Sequence, residues 1–238
     1  VLEALARSGG EQGISELARA TGLPYATIHR LAATLVARGY LRQDPRSRKY
    51  VLGARLVKLG ASAGRLLGTW VRPYLQELVE LTGETANVAV LEGGSVMYVD
   101  QVPAHRMVRM FTEVGNRVPA HSTAVGKVLL AHQPRPVVER ILEHNGLPAA
   151  TANTITDSER FLAELDRVTE QGYAVDMEEQ EEGVCCLAVP IVPLVGWVAS
   201  MSVSGPVSRV APAQDRIVEQ ILRVAGDLAT SMAANSEA

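Results

Sequence analysis

Apolar positions follow two regimes along the chain. Before Gly83 they recur mostly at helical spacing; beyond it they alternate in short runs, and a helical period returns near the C-terminal end. Leu2, Leu5 and Ala6 read as the end of a helix that Ser8-Gly9-Gly10 stops. Ser15 suits the N-cap of a second, short helix carrying Leu17 and Ala20, and Gly22 its left-handed end. Pro24 fits the first position of a third helix running to about Arg38. Its predicted buried stripe is Ile28, Leu31, Leu35 and Val36, which leaves Tyr25, Thr27, His29, Arg30 and Thr34 on other faces. Strand-like runs Tyr40–Asp44 and Lys49–Leu52 flank Pro45-Arg46-Ser47-Arg48. Two helices follow, Gly53 to Leu67 and about Thr69 to Leu81, with Gly64, Gly68 and Pro73 as breaks or kinks.

After Gly83 the pattern predicts strands at Thr85–Leu91 and Val96–Val102 around the turn Gly93-Gly94, with a further candidate at Met107–Phe111. A helix is expected over His121–Ala131. Thr156 with Glu159 forms a capping box for another, which ends at Gln171 before Gly172. Tyr173–Met177, Val184–Val192 and Trp197–Ser204 read as three more strands. From about Ala213 a long helix carries Ile217, Ile221, Val224 and Leu228 on one face. The sum is an α+β domain with a mainly antiparallel sheet behind a small helical module.

Charge sharpens the division. Residues 1–60 hold ten Lys and Arg against four acids, a formal +6, whereas the remaining 13 basic and 22 acidic residues give −9. A basic module of two short helices joined at a glycine turn, followed by a hairpin with a basic tip, reads as a winged helix-turn-helix. Its second helix would enter the major groove N-terminal end first. Arg30 can pair with guanine or phosphate, Tyr25 and Thr27 offer hydroxyls, and His29 shares the exposed surface. Arg42, Arg46, Arg48 and Lys49 on the wing suit phosphate or the minor groove. The competing reading is a solvated basic face on a protein–protein module. The composition, 47% hydrophobic and 21% charged, excludes a disordered chain. No apolar run approaches the ~20 residues of a membrane span. No secretory leader opens the sequence, so the expectation is a cytoplasmic protein.

In the acidic part, period-2 alternation puts Ser200, Ser202 and Ser204 on one strand face, and Val184, Cys186 and Ala188 on one face of the preceding strand. Such hydroxyls either line a small polar cavity or face solvent on an edge strand. Pro119-Ala120-His121-Ser122-Thr123-Ala124-Val125-Gly126-Lys127 places small residues at a helix start, where free amides attract an anion. The segment lacks the earlier glycine of a Walker phosphate loop, and a tightly packed helix end is the plain alternative. Asp176 ends a strand and opens the acidic run to Glu182, as a hydrogen-bonding acid at a pocket rim or as part of a solvated loop. Cys185 or Cys186 as nucleophile with His121 as base is an alternative, enzymatic reading; metal sensing through Asp176, Cys186 and His121 is a third, although the spacing is not diagnostic. No metal and no cofactor is expected.

Taken in order, these segments resemble the isocitrate lyase regulator (IclR) family of bacterial transcription factors. The resemblance rests on Leu23-Pro24 through His29-Arg30-Leu31, Arg48–Leu52 with Gly53, Val118 through Lys127, Gly172-Tyr173-Ala174-Val175-Asp176 through Ile191, and Ser202-Val203-Ser204-Gly205-Pro206. It implies a winged helix-turn-helix (1–60), a helical connection (61–82) and a GAF-like effector-binding domain (83–238). It also implies operator DNA and a small-molecule effector as partners, and a homodimer or dimer of dimers. For effectors that are small oxo acids, the resemblance puts the carboxylate on the amides of Ala124 and Val125. It puts polar contacts at Asp176, Cys186, Ser202 and Ser204, and apolar walls at Met107, Met110, Val118 and Val184. Repressors and activators share this architecture. A short connection near Gly68 and a compact turn at Pro193–Gly196 depart from many relatives.

Overall fold

The computed structural model describes residues 1–8, 11–107, 114–194 and 197–236. The chain divides into two compact units, Val1–Leu66 and Leu67–Ala238.

The first unit opens with α1 (Leu2–Arg7), β1 (Glu11–Gln12), α2 (Ile14–Thr21) and α3 (Tyr25–Ala37), followed by β2 (Leu41–Gln43) and β3 (Tyr50–Leu52). The strands form an antiparallel sheet in the order β1-β3-β2. The helices close over Leu5, Leu17, Ile28, Ala32, Leu41 and Tyr50. Gly22 ends α2 with φ +68, a left-handed conformation open to glycine at little cost. Three local expectations are corrected. The N-cap of α2 is Gly13, whose N–H donates to Glu16 Oε2 at 2.7 Å, because β1 delivers the chain there in an extended conformation; Ser15 lies inside the first turn. Pro24 caps α3 from outside, one residue earlier than expected. The buried face of α3 is Ile28 and Ala32, with Leu35 partly buried, while Leu31 and Val36 are exposed. The module is too small to cover more than one narrow stripe.

The connecting segment is a single helix, α4 (Arg55–Thr82), with Pro73 inside it, rather than two. An internal proline costs about 3 kcal/mol. Burial of Val71, Leu75, Leu78 and Val79 outweighs it, at roughly 1.5–3 kcal/mol for each aliphatic side chain.

The second unit adds β4 (Thr85–Glu92), β5 (Ser95–Val102), β6 (Arg117–Pro119), α5 (Ala124–Ala131), α6 (Arg135–Asn145), α7 (Ser158–Gln171), β7 (Ala174–Met177), β8 (Val184–Leu194), β9 (Trp197–Pro206), α8 (Val207–Val210) and α9 (Gln214–Ser236). Its six-stranded antiparallel sheet has the order β6-β5-β4-β9-β8-β7. One face packs on α9 and α4, joining Ile217, Ile221, Val224 and Leu228 to Leu75, Leu78, Val88, Leu187, Met201 and Val203. The other packs on α5, α6 and α7 through Val125, Val128, Leu142, Phe161, Leu165 and Ala188. Alternation along β8 sends Cys185 to the first face and Cys186 to the second. Helix α7 is capped by Asp157, whose carboxylate accepts from Arg160 N–H at 2.8 Å, and not by Thr156; a carboxylate also suits the positive end of the helix dipole. The expected strand at Met107–Phe111 lies largely outside the described residues, and the sequence pattern missed β6 and α6. Among the described residues, no helix is long and apolar enough to cross a membrane.

Candidate functional site

In the first unit, α3 presents Tyr25, His29 and Arg30 to solvent, with Thr27 partly buried. The wing turn between β2 and β3 is organised by Asp44, whose Oδ1 accepts from the N–H groups of Arg46 at 2.7 Å and Ser47 at 2.9 Å. Those two amides, Ser47 first, hold the Asp44 carboxyl below its ordinary range. Arg48 closes the turn at φ +59, and its carbonyl accepts from the Gln43 side chain at 2.9 Å. Arg42, Arg46 and Arg48 are exposed around this turn. Lys49 differs: its ammonium pairs with Glu11 of β1 at 3.0 Å, so a strand that was not expected already engages one wing cation.

In the second unit, strand register assembles the site. Asp176 lies beside Cys186, Cys186 beside Ser204, and Ser204 beside Thr85 across β7, β8, β9 and β4. The next row places Ala188, Ser202, Asn87 and Gln101 together. A cavity of about 190 Å³ opens over this face, lined by Tyr98, Asn116, Val118, Thr123, Asp176, Gln180, Glu181, Val184, Cys186 and Ser204. Of the residues singled out in the sequence, Val118, Asp176, Val184, Cys186 and Ser204 thus share one wall. Ser202 sits one row behind, in a buried network. Asn87 Nδ2 donates to Ser204 Oγ at 3.0 Å and to Ser202 Oγ at 3.4 Å, and Gln101 Nε2 donates to Asn87 Oδ1 at 2.8 Å. The serine row is therefore buried and not a solvent-facing edge. Met107 is fully exposed and does not line the cavity; Met110 lies outside the described residues. Asn87, Gln101 and Tyr98 were missed, although a lone Asn in the apolar run of β4 was a readable signal.

Helix α5 begins at the cavity. Its N-cap Thr123 accepts from Gly126 N–H at 3.3 Å and donates its hydroxyl to Pro119 O at 3.1 Å. The side chains of Ala124 and Val125 are buried. Their amides, the first two of the helix, have no acceptor within it. Gly126 is required by contact, since a Cβ there would lie 2.1 Å from the Ala120 carbonyl oxygen.

Burial governs the titrating groups. Asp176, 3% exposed, is pushed up to about 7 chiefly by burial and further by the Glu179 charge, against amide hydrogen bonds from Glu179 and Gln180. Burial also raises Tyr98, and it raises Cys186 well above an ordinary thiol. A nucleophilic cysteine needs its thiolate, so the cavity disfavours the form an enzyme would use. The His121 ring is held by Pro148 O at 3.0 Å and packs edge-on against Phe161. Among the described residues, no three His, Cys, Asp or Glu side chains are grouped to hold a metal ion.

Comparison with known proteins bears on both units. Residues 1–45 match the IclR helix-turn-helix domain, and residues 65–230 match the bacterial transcriptional regulator IclR C-terminal domain. The HTH-type transcriptional regulator KdgR of Escherichia coli K12 is 38% identical over 93% of this chain and 84% of its own length. The transcriptional repressor IclR of the same organism is 34% identical, over 92% and 81%. The crystal structure of an IclR homolog from Microbacterium hydrocarbonoxydans, complexed with 4-hydroxybenzoate, superposes with a TM-score of 0.77 at 28% identity, covering 94% of this chain and 92% of that one. These relatives are regulators and not enzymes. The chain belongs to the IclR family of bacterial transcriptional regulators, with a helix-turn-helix at its N-terminal end and the family's α+β effector domain after it.

Proposed function

We propose that residues 1–60 read duplex operator DNA, that 61–82 form the connection, and that 83–238 bind a small organic acid that alters this binding in the cytoplasm. Tyr25, Thr27, His29 and Arg30 on α3 contact bases and adjacent phosphates, and Arg42, Arg46, Arg48 and Lys49 hold the backbone from the wing. The working unit is a homodimer or a dimer of dimers, and repression is the mode taken from the repressor among the relatives.

The effector reading is carried by the cavity beside the start of α5, where Asp176, Cys186 and Ser204 converge. A carboxylate there meets the amides of Ala124 and Val125 and the positive end of the helix. Asp176, near half-protonation at neutral pH, can donate to the ligand's second polar group. At about 190 Å³ the space is smaller than the ~300–1,000 Å³ of drug-sized sites, which favours an acid of few atoms. A second reading, an aromatic acid, is favoured by Tyr98 on the wall and by the 4-hydroxybenzoate bound to the Microbacterium relative.

A thermal-shift screen of small and aromatic acids tests the effector, because native-state binding raises the melting temperature by mass action. Asp176→Ala and Ser204→Ala are expected to keep operator affinity and lose the response; a normal response in both places the site elsewhere. Arg30→Ala is expected to flatten the log affinity against log salt slope by about 0.9 for one lost phosphate contact. A parent slope near zero removes the DNA assignment.

A further inference from the structure

Lys127, on α5, is 1% exposed. Its ammonium donates to the Val175 carbonyl at 2.9 Å, to Glu164 Oε1 of α7 at 3.4 Å, and to the Glu179 carboxylate. Arg167 binds the other oxygen of Glu164. Two cations and two carboxylates thus balance, with the Glu164 and Glu179 side chains 8% and 9% exposed. Glu179 Oε2 is buried with no hydrogen-bond partner among the described residues, so Lys127 is what compensates this carboxylate.

Three of the joined elements are regular, namely α5, α7 and β7. The fourth is the acidic loop 178–183, and two of its residues also reach the cavity wall. Glu179 N–H donates to Asp176 Oδ1 at 2.7 Å, and Gln180 N–H to the same oxygen at 3.3 Å. Ser122 Oγ donates to Gln180 Oε1 at 2.5 Å. The loop turns at Glu178 with φ +59, an unfavourable conformation for a residue with a side chain, so its surroundings must hold it there. Thr151 and Thr154 help by donating to the Glu178 and Glu179 carbonyls, each at 2.6 Å.

We infer that Lys127 is a positioning residue for the effector cavity: acting through Glu179, it pins the 178–183 loop and with it the direction in which Asp176 presents its carboxyl. This rests on the effector reading of the cavity. Without the ammonium, Glu164 and Glu179 face one another with no charge between them. Glu164 is fixed in α7 and keeps Arg167. Glu179 stands on a loop, so its escape to water is the easier relief, and it withdraws two amides from Asp176. Removing one partner of a buried ion pair leaves the other charge uncompensated, which is strongly unfavourable, so the remaining carboxylate moves if it can.

The test uses the whole chain and needs no ligand. One readout is the rate at which methyl methanethiosulfonate labels Cys186, resolved from Cys185 by mass spectrometry. The other is hydrogen exchange at the Glu179 and Gln180 amides. Lys127→Met and Glu179→Ala are expected to raise both rates at least about tenfold through local opening. Glu179→Gln keeps the acceptor and stays near the parent. Glu164→Ala removes another arm of the network without touching the loop, and it also stays near the parent. Parental rates in Lys127→Met, or a Glu164→Ala variant as fast as Lys127→Met, overturn the inference and leave a purely structural ion. Slowed labelling of the parent by pyruvate or 4-hydroxybenzoate supports the effector reading separately. If neither acid slows it, that reading loses its footing while the order of rates among the variants still decides the tether.

Discussion

Asp176 should make the effector domain less stable as pH rises through neutrality. The residue is 3% exposed, and its carboxyl is pushed up from 3.8 to about 7, first by burial. The folded state therefore binds a proton that the unfolded chain has released across this interval. The stability contributed by the protonated acid is complete below pH 3.8, falls as pH rises toward 7, and is gone above it. Three units correspond to about 4 kcal/mol in all, of which roughly 2–3 kcal/mol falls between pH 5 and 8. Asp176→Asn keeps the oxygen that accepts from Glu179 and Gln180 but does not titrate. Melts of parent and variant across pH 5–8 isolate the effect, since the other titrating groups cancel in the difference. Relative to the parent, the Asn variant should gain about 5–10 °C between pH 5 and pH 8, at 2–4 °C per kcal/mol for a domain of this size. Parallel profiles would refute a protonated Asp176. A buried acid that costs stability at working pH is expected where function uses its proton. By the same linkage a carboxylate effector should bind with proton uptake, and its affinity should weaken above pH 7.

Two further outcomes concern the start of α5. Gly126→Ala drives a Cβ into the Ala120 backbone, so the helix start must shift; the expected cost is about 1–3 kcal/mol, read by chemical denaturation, with the acid-induced thermal shift reduced as well. Thr123→Ala removes the hydroxyl that caps Gly126 N–H and should cost about 1 kcal/mol, with Thr123→Ser recovering most of it.

What could be read in the sequence was whatever a short window decides. Gly22 and Gly172 end their helices with φ +68 and +80, and the Ile217, Ile221, Val224, Leu228 stripe is fully buried. Windows failed where several residues could serve locally. Ser15 and Gly13 compete for one cap, as do Thr156 and Asp157, and only the path of the incoming chain decides. On α3, Leu31 is more apolar than Ala32, but Ala32 faces the core. Pro73 reads as a break until the sheet that buries its helix is known.

The candidate site divides in the same way. Alternation alone put Ser202 with Ser204, and Cys186 with Val184 and Ala188, on shared strand faces, because the side-chain period of a strand is fixed; that the serine and cysteine faces point inward came from the fold. Pairing register, which no window contains, then brought Asp176 beside Cys186 and Asn87 beside Ser202. The acidic run 176–182 looked solvated because charge runs usually are, with Asp176 set apart as a candidate acid at a pocket rim, yet Glu179 is buried as well. Asp176 is tolerated inside by holding its proton, whereas the Glu179 carboxylate is tolerated through a partner that arrives from elsewhere in the chain. That partner, Lys127, lies 52 residues before Glu179 and sat within a motif singled out for its small residues and its amides. The acidic loop had an ordinary surface explanation, and the segment holding the lysine had one as a tightly packed helix end. Together they explain how an acid can be held at the wall of a cavity, which is the property a ligand-sensing domain needs.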